Sequence, residues 1–102
     1  MVNQGIIEII RKYLSLLPEN LEVKKAYLFG SFAKGKEHEG SDIDIALIFN
    51  DLTDFFSTQR QLRKLRRSID LRIEPHPIAQ KDFNSMNPFA QEIKRNGMEI
   101  TL

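Results

Sequence analysis

The sequence contains no cysteine and no tryptophan, and only 5 glycines and 4 prolines among its 102 residues. The lack of cysteine excludes disulfide bonds and metal sites built on thiolates, and it fits a reducing compartment. No stretch approaches the roughly 20 apolar residues that a membrane-spanning helix requires. The first apolar stretch carries acidic and basic side chains, unlike a signal peptide. We therefore expect a soluble cytoplasmic protein.

An excess of either charge is also missing, because 15 Lys and Arg residues face 14 Asp and Glu residues. The total charge therefore gives no argument for or against nucleic-acid binding, and only local clusters of charge can do so. With 41% hydrophobic and 28% charged residues, the composition is that of an ordinary globular protein. The length suits one modest core, and we expect a single domain over residues 1–102.

Three amphipathic helices and three strands are predicted from the spacing of the apolar residues. The helices cover residues 3–17, 53–67 and 87–95, and the strands cover residues 23–29, 42–49 and 68–75. One helical turn is expected from Ser31, and a short edge strand near the C-terminus. A helix joins the second and third strands, which is typical of a parallel crossover pair. The order predicts an α/β (α+β) fold with a small mixed sheet flanked by helices.

Two aspartates open the second strand, although the residues around them are apolar. Asp42 and Asp44 are two residues apart and project from the same face, about 6.6 Å apart at roughly 3.3 Å per residue. Asp70 lies near the start of the predicted third strand, and Gly30-Ser31 follows the first strand. If the first strand runs antiparallel and the third parallel to the second, three carboxylates and a Gly-Ser turn meet at one edge of the sheet.

Glu74 is the alternative third acid. The predicted third strand alternates between two faces, with Ile69, Leu71 and Ile73 inward and Asp70, Arg72 and Glu74 on the other side. Asp70 is preferred, because Glu74 precedes Pro75 at the far end of the predicted strand.

Three carboxylates this close would repel one another unless a cation joined them. The oxygen ligands and the lack of cysteine point to Mg²⁺ or Mn²⁺. Metal ions held by shared carboxylates suit in-line attack at phosphorus. Gly30 lets the backbone approach a phosphate, and Ser31 offers a hydroxyl at the start of a helical turn. The pattern therefore predicts a metal and nucleotide site.

These residues resemble the DNA polymerase β-type nucleotidyltransferase superfamily, whose pattern is Gly-Ser, ten residues, and then Asp-x-Asp, with a third aspartate on a later strand. Gly30, Ser31, Asp42 and Asp44 match this pattern without a gap, and Asp70 supplies the third acid. The stretches AYLFGSFAKG and SDIDIAL resemble the minimal nucleotidyltransferases (MNT), which are often encoded beside a helical HEPN partner as toxin–antitoxin pairs. The resemblance implies a polymerase β-like fold and covers roughly residues 22–78.

The resemblance also implies a reaction, the transfer of AMP from ATP to a hydroxyl, with a HEPN-type toxin as partner and this chain as the antitoxin. Asp42 and Asp44 would hold the metal, Asp70 would help to position or deprotonate the acceptor, and the Gly-Ser turn would hold the triphosphate. Lys34 lies where relatives often carry arginine. The positive charge is kept, but the guanidinium that can form bidentate hydrogen bonds is lost.

Two other functions stay open: an antitoxin that acts by binding alone, and one subunit of a two-chain enzyme with a small-molecule acceptor. The run from Arg60 to Arg67 holds five basic residues and no acid. It is interpreted either as a solvated helix face or as a contact for a partner, with nucleic acid less favoured because no aromatic residue interrupts it. His76, between two prolines, is interpreted as structural. An oligomer stays open.

Overall fold

The computed structural model describes residues 3–102, which form a mixed sheet with helices on both faces. The helices are α1 (Gln4–Ser15), α2 (Ser31–Lys34), α3 (Phe55–Leu65) and α4 (Pro88–Asn96), and the strands are β1 (Val23–Phe29), β2 (Ile43–Phe49), β3 (Ile73–Ala79) and β4 (Met98–Ile100). Short 3₁₀ turns cover Glu19–Leu21, Arg66–Ser68 and Gln80–Asp82. The first two residues of the domain expected over residues 1–102 lie outside the described part.

The four strands are ordered β3-β2-β1-β4. β1 runs antiparallel to β2, and β4 is antiparallel to β1 at one edge. β3 runs parallel to β2 at the other edge, and α3 makes the crossover between them. This arrangement confirms the α/β (α+β) class, the mixed sheet and the short C-terminal edge strand predicted from the sequence.

The central strand β2 has apolar side chains on both faces, because helices cover both. Ile43, Ile45, Leu47 and Phe49 join the larger core, which also contains residues of α1 and α3. Ala46 and Ile48 join a smaller core with Ile93 of α4. The alternation predicted for this strand is therefore confirmed.

Side chains before the helices fix where they begin. Asn3, Asp54 and Asn87 cap α1, α3 and α4, and each accepts a backbone N–H from the first turn that follows. Such caps satisfy donors that a helix cannot pair internally. Within residues 3–102, none of these helices has both the length and the apolarity needed to cross a membrane.

The predicted third strand was placed too early in the sequence. β3 begins at Ile73, whereas Leu71, predicted to face inward, is 68% exposed. Pro75 and Pro77 lie inside the strand instead of ending it. A proline is tolerated on an edge strand where the missing N–H would point away from the neighbouring strand, and β3 is such an edge. The two prolines project their rings from the same face and are both buried.

The crossover helix was predicted too long at both ends. α3 begins at Phe55, so Phe56, predicted on the inner stripe, lies in the first turn and is 70% exposed. Leu62 is buried as predicted. Its carbonyl oxygen accepts a hydrogen bond of 2.7 Å from the hydroxyl of Tyr13 in α1. The helix therefore packs through its middle, and its N-terminal aromatics remain at the surface.

Candidate functional site

The aspartate pair and the Gly-Ser turn lie side by side at one edge of the sheet. Asp42 immediately precedes β2, Asp44 is its second residue, and Phe29 at the end of β1 is the cross-strand partner of Asp44. Gly30 and Ser31 follow Phe29 directly, so the antiparallel pairing carries them to the two aspartates. Asp42 is exposed and Asp44 is half-buried. The structure thus brings together four of the residues that the sequence singled out.

Gly30 is in direct contact with Asp44, and its backbone conformation suits glycine alone. Its φ is +78° and its ψ is −156°, a region that side chains with a Cβ essentially do not adopt. A Cβ added there would come within 2.5 Å of Asp44 Oδ2. Glycine therefore serves twice here, because it permits the turn and leaves room for the carboxylate.

The turn that follows, α2, begins at Ser31 and ends at Lys34, with Gly35 in the left-handed conformation after it. Phe32 is buried in the larger core and anchors this turn to the sheet. The first N–H groups of a helical turn have no partners within the turn. They and the Ser31 hydroxyl are therefore placed next to the aspartates as donors for an anion.

Lys34 is engaged with α4 in this structure. Its Nζ lies 2.8 Å from Oε1 of Glu92, and both side chains are about one-third exposed. An ion pair as exposed as this one contributes little to stability. Lys34 can therefore exchange Glu92 for a more highly charged phosphate at small cost.

Asp70 lies in the turn before β3 and not on the strand, which corrects its predicted position. Its carboxylate forms a bidentate ion pair with Arg72. Arg72 Nη2 lies 2.8 Å from Asp70 Oδ2, and Arg72 Nε lies 3.1 Å from Asp70 Oδ1. Hydrogen bonding to Arg72 holds the pKa of Asp70 below its usual value, and the same contact raises the pKa of Arg72. The Arg72 guanidinium also lies 6.0 Å from the centre of the Phe32 ring.

Glu74, which the sequence analysis placed at the far end of the third strand, lies near its start. It is the second residue of β3 and the direct parallel neighbour of Asp44. Its carboxylate is held by α3, with Arg63 Nη2 to Oε1 at 2.7 Å and Arg66 Nη1 to Oε2 at 3.2 Å. The reason for preferring Asp70 over Glu74 was therefore wrong, although both acids remain candidates.

Among residues 3–102, no three acidic or histidine side chains stand in a group that could hold a metal ion. Arginines hold both candidate third acids in this structure. Asp42 and Asp44 alone provide the hard oxygen donors that Mg²⁺ and Mn²⁺ prefer. The donor set of Asp42 and Asp44 therefore fits such an ion as a two-carboxylate site.

His76 is the residue at this site whose contact the sequence reasoning missed. Its Nε2 lies 3.1 Å from Asp44 Oδ1, and its ring packs against Phe29 and Phe89, with centroid distances of 5.2 and 5.1 Å. The sequence position of His76 could have indicated this contact, because His76 is two residues beyond Glu74 and so projects from the same face of the strand. Placing the strand correctly would have revealed it.

The basic run divides between the two interpretations left open. Arg63 and Arg66 bind Glu74 and so belong to the surroundings of the site. Arg60, Lys64 and Arg67 are exposed on the same helix and the turn after it.

Beyond the C-terminal half of β3 lies a hollow of about 560 Å³, with apolar residues such as Phe55, Met86 and Phe89 in its walls.

Comparison with known proteins identifies the family of this chain. Residues 8–101 match the family model described as polymerase beta, nucleotidyltransferase. A putative protein adenylyltransferase of Methanocaldococcus jannaschii is 35% identical over 85% of both chains. Protein adenylyltransferase MntA of Shewanella oneidensis is 37% identical over 58% of this chain and 43% of its own length. The chain covers 58% of another putative protein adenylyltransferase of M. jannaschii, so it spans about half the length of some curated relatives.

Two solved structures show the same fold in a larger setting. One is a toxin–antitoxin complex with AMP-PNP, at a TM-score of 0.65 and 26% identity, covering 93% of this chain and 72% of that one. The other is an MNT antitoxin with a tri-AMPylated HEPN toxin from S. oneidensis, at a TM-score of 0.59 and 23% identity over 96% of this chain and 71% of that one. From the family match, which spans residues 8–101, this chain belongs to the polymerase beta nucleotidyltransferase family of enzymes.

Proposed function

We propose that this protein transfers AMP from ATP to a hydroxyl group on a HEPN-type toxin and acts as the antitoxin of the pair, in the cytoplasm, with Mg²⁺ or Mn²⁺ as cofactor. The observation that carries the proposal is the contact between Asp44 Oδ2 and Gly30, which joins the carboxylate pair to the phosphate-binding turn. Carboxylates beside backbone donors suit a triphosphate only if a cation neutralises the combined charge.

Each residue of the site has its own part in the proposed reaction. Ser31 and the N–H groups of α2 bind the triphosphate, and Lys34 leaves Glu92 to contact it. Asp42 and Asp44 would hold the divalent ion, which when bound neutralises charge on the phosphates. The acceptor oxygen attacks the α-phosphorus in line, the bond to the bridging oxygen breaks, and pyrophosphate leaves. Alignment and charge neutralisation supply most of the acceleration in such transfers.

The proton of the acceptor hydroxyl goes to the third carboxylate. Asp70 was preferred for this role from the sequence, and it stays a candidate because its turn leads into β3 beside Asp42. The register favours Glu74, since it is the parallel neighbour of Asp44. Asp70 must first leave Arg72, and Glu74 must first leave Arg63 and Arg66. Both acids are partly buried, but Arg72 and Arg63 are each about half exposed, so solvent can reach both ion pairs.

The nature of the acceptor is supported by the relatives. The curated relatives are named protein adenylyltransferases, and the solved neighbours include a HEPN toxin that carries AMP. The hollow beside β3 and the exposed side chains of Phe56 and Met86 offer apolar surface for a protein partner. This surface also favours the second candidate function, neutralisation of the toxin by binding alone.

The test mixes the protein with the HEPN-type protein encoded beside it, ATP and Mg²⁺, and measures the mass of the partner. The wild type should add one or more AMP groups to the partner, whereas the Asp42→Asn/Asp44→Asn variant should add none. A charge-matched control, Glu8→Gln/Asp51→Asn, removes two exposed carboxylates elsewhere and should label the partner normally. If the Asp42→Asn/Asp44→Asn variant neutralises the toxin fully and no mass is gained even with wild type, neutralisation by binding alone is correct.

The same assay separates the two candidates for the third acid. Asp70→Asn and Glu74→Gln each remove one carboxylate and keep its size. The true proton acceptor should be needed for labelling, while binding of the partner and of ATP survives its replacement. Equal labelling by both variants and wild type would show that neither residue takes the proton.

A further inference from the structure

We propose that His76 is a positioning residue for Asp44, which it holds in the orientation that the divalent ion and the triphosphate require. The inference rests on the proposed function, because it gives His76 a part in the same site. The sequence analysis had favoured a structural role for this histidine over a role in the site.

The two oxygens of Asp44 have different neighbours. His76 Nε2 lies 3.1 Å from Oδ1, so an N–H on this nitrogen donates to that oxygen. Oδ2 points at Gly30, where a Cβ would come within 2.5 Å of it. One oxygen is therefore engaged on the β3 side and the other is directed toward the Gly-Ser turn, so the plane of the carboxylate is fixed by contacts on both sides.

The imidazole itself is held firmly. Its ring forms a cluster with Phe29 and Phe89, in which each ring contacts the other two, and the residues on either side in the chain are Pro75 and Pro77. Proline fixes φ and narrows the conformations of the residue before it. The His76 side chain is 22% exposed, so the ring has little room to turn away from Asp44.

The aromatic packing connects His76 to both neighbouring layers. Phe29 is the β1 partner of Asp44, and Phe89 comes from the first turn of α4. A side chain locked in this way supplies its hydrogen bond without first losing rotamer freedom. His76 therefore orients the Asp44 carboxylate, as hydrogen-bonding neighbours commonly orient metal ligands. Loss of such a neighbour typically costs about 10- to 100-fold in metal affinity or activity.

The experiment measures binding of Mn²⁺ to the full chain in the presence of ATP, from the electron paramagnetic resonance signal of the unbound ion. The reference is the same Mn²⁺ and ATP without protein, because ATP itself binds the ion. We expect His76→Leu to weaken Mn²⁺ binding about 10- to 100-fold. His76→Gln keeps an N–H donor at a similar distance along the side chain and should restore most of the affinity. His38→Gln is the matched control, because His38 is exposed in the loop before β2 and should bind like wild type.

Recovery by glutamine separates positioning from packing, because both variants lose the aromatic ring that packs against Phe29 and Phe89. Urea unfolding of both variants should show similar losses of stability, while Mn²⁺ affinity differs between them. Equal affinity of His76→Leu and wild type, or equal weakness of the Leu and Gln variants when both are folded, overturns the role of His76. A wild type that binds no Mn²⁺ with ATP gives a different pattern and overturns the proposed function, and this inference with it.

Discussion

Replacement of Gly30 by alanine tests the contact on which the candidate site depends. The backbone at Gly30 has φ +78° and ψ −156°, a conformation whose strain for a residue with a Cβ is about 1–3 kcal/mol. For a domain of this size, each kcal/mol lowers the melting temperature by roughly 4–8 °C. We therefore expect Gly30→Ala to remain folded but to melt roughly 4–24 °C below wild type.

The second effect of this change is local. The new Cβ would lie 2.5 Å from Asp44 Oδ2, whereas ordinary contact begins at 3.4 Å, so the carboxylate must move by about 0.9 Å. A displacement of about 1 Å at a reacting group commonly costs about 100-fold in rate. We expect a loss of this size in AMP transfer, together with loss of the rise in melting temperature that Mn²⁺ and ATP give the wild type.

Gly40→Ala is the matched control for strain. Gly40 also has a positive φ, +89°, but a Cβ there meets no atom within 4 Å. The Gly40→Ala variant should therefore melt at a lower temperature and still respond to Mn²⁺ and ATP. If Gly30→Ala keeps the full response, or if Gly40→Ala loses it equally, the contact between Gly30 and Asp44 does not matter to the site.

Two further predictions concern stability. Because Arg72 holds the pKa of Asp70 below its usual value, Asp70 stabilises the fold above the unfolded pKa of about 3.9 and loses this effect as pH falls through the folded value. In urea unfolding with EDTA, the stability advantage of wild type over Asp70→Asn should thus be full at pH 7 and shrink as pH falls from about 5 toward 3; a constant difference would contradict this. Tyr13→Phe removes the buried hydrogen bond to the Leu62 carbonyl and should cost about 0.5–1.5 kcal/mol in the same assay at pH 7; an unchanged midpoint would show that water replaces the hydroxyl.

The parts of the site that lie on one continuous pattern could be predicted from the sequence. β2 is central, so both of its faces are apolar except at Asp42 and Asp44, which made the acids conspicuous. The turn at Gly30 follows a strand with β-forming residues, and antiparallel pairing brought it beside Asp44 as expected. The family pattern and the geometry therefore agree over the first two strands.

The third strand could not be placed by the same reasoning, because its own alternation is ambiguous. Residues 69–72 alternate as a strand would, yet they form a turn in which Asp70 accepts the backbone N–H of Arg72. Prolines at 75 and 77 indicate a strand end in isolation, whereas on an edge strand they occupy positions whose N–H needs no partner. A shift of the start to Ile73 moves Glu74 next to Asp44 and places His76 on the same face. Errors in register therefore matter most on an edge strand, where only one neighbour fixes the pairing, and here that strand supplies the residues on which the third acid and the orientation of Asp44 depend.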